Sequence, residues 1–208
     1  MRDLFIIARS GWPYVTATLL ALLFFLFLDI DFFAFVSLGL LLFVLYVFRN
    51  PERELNTFEE AAILSPVDGV VSVIEELEDE AFAYRIDILS SYTDVSLLRL
   101  PINATVVERS IQRGARLSIG STHRELNENA SLLLADAQNN RVKIIHRLSR
   151  SFAPLFIEVK EGQNLPKSAR YGTMLSGMTS LYLPKNVRIN VNPSSEVKAS
   201  QTLIGYFS

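Results

Sequence analysis

The first quarter of the chain is apolar without periodicity, and the rest alternates. Two uncharged, mostly apolar runs cover residues 12–28 and 32–48, parted only by Asp29-Ile30-Asp31. Each is 17 residues long, slightly short of the ~20 that cross ~30 Å of hydrocarbon but inside the workable range, so each reads as a membrane span. From residue 64 onward the pattern changes to short apolar stretches broken by turn residues. Strands are predicted at 70–75, 84–89, 95–100, 105–109, 132–135, 142–148, 155–160, 180–183, 187–191 and 201–207. Asp68-Gly69, Asn139-Asn140, Glu161-Gly162 and Asn192-Pro193 mark turns between them, and 122–129 reads as a helical turn or a loop. The pattern predicts three regions: a membrane hairpin over 1–48, a linker over 49–63, and a mostly-β (α+β) sandwich or barrel domain over 64–208.

The charges refine the hairpin. Asp29 and Asp31 are the only charged residues between Ser10 and Phe48. One continuous helix would bury them at mid-bilayer, a costly position, so two spans joined by an acidic tip are favoured. No small-x-small site follows the apolar stretch, so a cleaved signal peptide is not expected. Arg2 and Arg9 precede the first span, Arg49 and Arg53 follow the second, and the tip carries no Lys or Arg. The positive-inside rule then puts both flanks, and the β domain with them, on the cytoplasmic side of the inner membrane. Trp12 and Tyr46 stand at interfacial positions.

Composition removes whole classes of chemistry. The 208 residues include no cysteine, which excludes a disulfide scaffold, a thiol nucleophile and cysteine-bound metal. Twenty Lys+Arg against 22 Asp+Glu argue against a nucleic-acid partner held by bulk charge. The two histidines, His123 and His146, have no carboxylate at ligand spacing, so no metal site is expected. His146 lies in a strand-like run and reads as structural. There is no glycine-rich phosphate loop and no nucleophile elbow.

The order of segments carries more. Phe48-Arg49-Asn50-Pro51-Glu52-Arg53 follows the two spans, then Ser65-Pro66-Val67-Asp68-Gly69-Val70-Val71, then Thr93-Asp94-Val95-Ser96-Leu97-Leu98-Arg99-Leu100-Pro101. Asn127-Glu128-Asn129 comes next, followed by Arg170-Tyr171-Gly172 through Leu181-Tyr182-Leu183-Pro184, and the chain closes on Ser195 to Gly205. In this order the segments resemble the short, membrane-anchored phosphatidylserine decarboxylases over almost the whole chain. The resemblance implies a lipoyl-like C-terminal hairpin, membrane phospholipid as the partner, and a homo-oligomer or an active paralogue as a protein partner. It also implies a pyruvoyl cofactor made from the chain itself. In that family a serine attacks the carbonyl of the preceding glycine, and elimination splits the chain to leave the ketone that takes the substrate amine.

The residues depart from that pattern where the chemistry sits. The matching stretch reads Met174-Leu175-Ser176-Gly177-Met178-Thr179-Ser180, one residue shorter than in the family, with Met178 where the serine belongs. A thioether can neither attack nor eliminate. Ser96 stands where the family has a histidine, which removes a proton-transfer group suited to neutral pH. Asp68, the acid that the family uses to orient processing, is kept, although an Asp-Gly pair is also a common hairpin turn. The candidate catalytic residues are Asp68, Ser176 and Gly177. Arg109, Arg113 and Arg116 are the candidate contacts to anionic lipid headgroups. No cofactor is expected unless self-processing occurs.

Three functions follow: a non-catalytic relative of the decarboxylase, an active decarboxylase with its processing site displaced to Ser176 or Ser121, and a membrane-tethered β adaptor.

Overall fold

The computed structural model describes residues 6–53 and 58–208. They form two units, Met1–Glu52 and Arg53–Ser208. The first is a helix pair. A 3-10 turn, Arg9–Gly11, leads into α1 (Trp12–Phe27), and α2 (Asp31–Val47) returns. Pro13 suits the first turn of α1, where a missing N–H costs nothing. Asp29 takes the left-handed conformation (φ 55°) at the tip, and Asp31 supplies the acid that the N-terminus of α2 favours. The helices meet along Val15, Ala34, Ser37, Val44 and Val47, all buried. At the open end Ala8 N–H donates to Phe48 O (2.8 Å) and Asn50 N–H to Ile6 O (2.8 Å). A side chain at Gly11 would strike the Phe48 ring at 2.6 Å, so only glycine lets the two ends close.

The outer sides of these helices stay apolar and exposed, with Leu20, Leu23, Phe24, Phe27, Phe32 and Phe35 all pointing outward. The helical stretch Arg9–Phe27, 19 residues, is long and apolar enough to cross a membrane. At ~1.5 Å per residue it spans about 28 Å, close to the thickness of a hydrocarbon core.

The second unit is built from strands: β1 (Ala62–Leu64), β2 (Gly69–Glu76), β3 (Tyr84–Ser90), β4 (Leu97–Arg99), β5 (Ala104–Gln112), β6 (Asn129–Ala135), β7 (Arg141–Leu148), β8 (Phe156–Ile157), β9 (Asn164–Leu165), β10 (Arg170–Thr173), β11 (Gly177–Leu183), β12 (Val187–Ile189), β13 (Glu196–Val197) and β14 (Leu203–Phe207). Eight of them make one antiparallel sheet in the order β13-β2-β3-β11-β7-β6-β5-β9. Two three-stranded sheets, β1-β14-β12 and β4-β10-β8, share its core. Alternation does the sorting: Ala130, Leu132 and Leu134 of β6 face inward with Val142, Ile144, His146 and Leu148 of β7.

Several sequence expectations change here. Among the described residues no barrel closes: the large sheet ends in the two-residue strands β13 and β9. The closing segment is not a hairpin of paired strands. β13 pairs with β2 and β14 with β1 and β12, because the Lys198–Thr202 turn carries the chain from one sheet to another. Ala62 and Ile63, the last residues of the stretch read as linker, already belong to a strand, Ala62–Leu64. The 155–160 strand shrinks to Phe156–Ile157, although burial alternates along the whole segment. Residues 124–126 form a 3-10 turn.

Candidate functional site

The register gathers the singled-out residues at one end of the large sheet. Val70 lies opposite Leu89, Leu89 opposite Met178, Met178 opposite Arg147, and Arg147 opposite Asn129, which faces Gln112. Asp68 and the loops at 91–96, 113–128, 149–154 and 174–176 all leave the sheet at this Gly69–Gly177 end.

Asp68 is held by its neighbours on every side. The Arg53 guanidinium grips both carboxylate oxygens, donating to Oδ1 at 2.6 Å and to Oδ2 through the second nitrogen. Ala199 N–H donates to Oδ1 at 2.8 Å, and Arg53 also donates to Ala199 O at 2.7 Å. Both side chains are buried. Gly69 is required for a reason other than a hairpin turn. Its φ is 152°, and a Cβ there would lie 2.1 Å from Leu89 O. Asp68-Gly69 therefore does not make a hairpin turn; Gly69 presses the start of β2 against β3, and Ser90 Oγ donates to Asp68 O at 2.6 Å.

The Met174–Ser176 crossing from β10 to β11 is packed shut. Met174 N–H donates to Ser96 O (2.8 Å) and Ser149 N–H to Ser176 O (3.0 Å). Met174, Leu175 and Met178 are buried. At Gly177 a Cβ would sit 2.3 Å from Arg147 O, so glycine serves here for close approach to β7. Met178 faces away from the core, on the opposite side of β11 from Thr179. Ser121 lies in a separate turn, its N–H donating to Ser118 O at 2.9 Å.

On the core side sits a cluster that sequence reading did not assemble. The imidazole of His146 bonds through Nδ1 to Thr179 Oγ1 (2.8 Å) and through Nε2 to Tyr171 OH (2.6 Å). All three side chains are fully buried. The chain of bonds joins β7, β11 and β10, and so ties the large sheet to a small one. Burial holds the His146 pKa down at about 3 and pushes Tyr171 up. At neutral pH the ring is uncharged, one nitrogen donating and the other accepting, and it is a weak base. The inward parity of His146, Thr179 and Tyr171 in their strands was the available signal.

The three arginines proposed for headgroups are not equivalent. Arg113 and Arg116 both reach the buried carboxylate of Glu128, Arg113 in a close pair and Arg116 at 3.8 Å. Arg113 also donates to Leu155 O (3.0 Å) and Arg116 to Ser151 O (3.1 Å) and Phe152 O (2.7 Å). Glu128 further accepts Leu155 N–H (3.1 Å). Asn127 binds Leu117 through both its amide oxygen and nitrogen, at 2.9 and 2.8 Å, and Leu148 O at 2.9 Å. Arg109 lies further along β5, opposite Leu132, with its Nε buried and without a hydrogen bond. Among the described residues no three His, Asp or Glu side chains cluster as metal ligands would.

The residue directly after Gly177 does not fit a pyruvoyl precursor, because that position holds the buried thioether of Met178 and no hydroxyl.

The family model for phosphatidylserine decarboxylase matches residues 40–205. The chain is 32% identical over 206 residues to a phosphatidylserine decarboxylase proenzyme of Symbiobacterium thermophilum, covering 96% of this chain and 95% of that one. It is 30% identical to the proenzyme of Syntrophotalea carbinolica, over 96% of each. The proenzyme of Geotalea uraniireducens is 29% identical over 96% of this chain and 95% of its own.

Proposed function

Since the chain belongs to the phosphatidylserine decarboxylase family, we propose that it is a membrane-anchored, non-catalytic member acting in phosphatidylethanolamine metabolism. The observation that carries this reading is the residue after Gly177. Met178 offers no hydroxyl to attack a carbonyl and no leaving oxygen for elimination. Two further features support it. Asp68, the acid position the family resemblance assigns to processing, has its carboxylate occupied by Arg53 and Ala199. The imidazole of His146, opposite Thr179 in the register, is on the core side of the sheet and bonded through both nitrogens.

The helix pair is the anchor. Its exposed aliphatic and aromatic faces suit lipid, Arg9 and Arg49 stand at its open end, and the acidic tip carries no cation. By the positive-inside rule the tip is outside and the β unit is cytoplasmic, at the inner membrane.

Intact mass of the full chain purified from membranes tests the reading. One species near 23.4 kDa is expected, with no CO2 released from phosphatidylserine vesicles. Two fragments, the smaller with a ketone-reactive N-terminus, would overturn it and place processing at another hydroxyl such as Ser176 or Ser121.

A further inference from the structure

The Gly69–Gly177 end of the sheet carries a row of partly exposed apolar side chains. From Ser151 to Val159 the chain alternates strictly, with Ser151, Ala153, Leu155, Ile157 and Val159 buried and Phe152, Pro154 and Phe156 turned out. Phe152 and Phe156 are 41% and 40% exposed, and Leu126 on the adjoining loop is 65% exposed. These side chains are held in place by fixed backbone. Tyr92 stacks on Phe152 with centroids 6.0 Å apart and planes within 8°, and its hydroxyl accepts Phe152 N–H (3.1 Å) while donating to Arg150 O (2.9 Å). Arg116 clamps the Phe152 carbonyl from the other side.

Cations surround this ridge. Arg113 keeps 63% of its side chain exposed while touching Glu128, and Arg124 and Arg150 are exposed on the flanking loops. Of the nearby acids, Glu128 is buried in ion pairs and Asp94 is turned back on Ser91, whose N–H and Oγ it accepts at 2.7 and 2.8 Å. Glu125 is exposed. The chain also enters this unit at this end, because Arg53 is fixed to Asp68.

We infer that the Phe152–Pro154–Phe156 ridge, with Tyr92 and Leu126, docks into the headgroup layer of the bilayer that holds the helix pair, its arginines matching anionic lipid. Rigid aromatics and aliphatics ringed by arginine suit an interface that is apolar below and anionic above. A protein partner would cover the same side chains without placing them in lipid. The inference rests on the membrane reading given above, and the test separates the two.

The chain has no cysteine, so single-cysteine labels are clean. Full-length Phe152→Cys, Leu126→Cys, Gln138→Cys and Leu23→Cys are each labelled with a polarity-sensitive fluorophore in phosphatidylcholine–phosphatidylglycerol liposomes. Gln138 is exposed between β6 and β7, at the opposite end of the sheet. Lipid-chain nitroxides should quench the labels at 152, 126 and 23 about twofold or more and leave 138 unchanged. Quenching at 23 alone, with 152 and 126 open to aqueous iodide, overturns the docking inference and leaves the anchor standing. Labels at 152 and 126 shielded from both quenchers mean a protein covers the ridge, which also overturns it. No quenching at 23 removes the anchor and the inference together. Leu126, being largely exposed, carries the test if the Phe152 variant fails to fold.

Discussion

Two buried polar clusters near the start of β11 meet the same problem in opposite ways. Asp68 and Arg53 are charged, and each satisfies the other together with the Ala199 backbone. Tyr171, His146 and Thr179 are neutral, and burial keeps them so. The first cluster fixes the incoming chain to the β unit, and the second ties two sheets across the core. The difference shows that this end of the molecule lacks neither an acid nor an imidazole nor a hydroxyl. Each is present, Asp68, His146 and Thr179 in turn, and each is hydrogen-bonded to a partner of its own.

The charged cluster should be the more costly to break. Asp68→Ala leaves a buried guanidinium and the Ala199 N–H without their carboxylate, and urea unfolding of the full chain in detergent should show a loss of about 3–5 kcal/mol. A loss under about 1 kcal/mol would mean the pair is solvated, and the contrast between the clusters would vanish.

The neutral cluster should announce itself through pH. His146 has a folded pKa of about 3, below its ordinary 6.5. Between those values the unfolded chain takes up a proton that the folded chain refuses. Stability is therefore full above pH 6.5 and falls as the pH drops toward 3, by about 3 kcal/mol at pH 4.5 from this residue. His146→Gln removes the ionisable ring, and its unfolding free energy should fall less steeply than that of the parent over the same range. Parallel curves would show that His146 is protonated in the folded state.

The smallest expected effect is none. Met178→Ser puts a hydroxyl after Gly177, yet Asp68 remains bound to Arg53 and position 96 is still serine. The variant should show one mass, shifted only by the substitution. Efficient cleavage would prove that the commitments of the two clusters do not restrain the turn.

Much of this architecture was legible along the chain. The apolar runs at 12–28 and 32–48 became helices within a residue of each bound, because a run without a polar stripe has one regular solution. Alternation placed β2, β3, β5 and β7 to within a few residues. It missed β1, β9, β10 and β13, which are two to four residues long and owe their existence to partners far away in sequence. Asp68 was singled out for turn geometry or processing and Arg53 as a topology signal, and neither reading pointed to the ion pair they form. Glu128, which holds Arg113 and Arg116, was quoted only as part of a motif.

What the amino-acid order determined by itself was local: where the chain is uniformly apolar, where it alternates, and that a thioether follows Gly177. What the tertiary structure alone decided was pairing. Arg53 meets Asp68 across 15 residues and Ala199 across 146, and His146 meets Thr179 across 33. Periodicity reports which way a side chain points, but only the sheet register says what it points at, and a buried charge or imidazole depends on that partner to satisfy its hydrogen bonds.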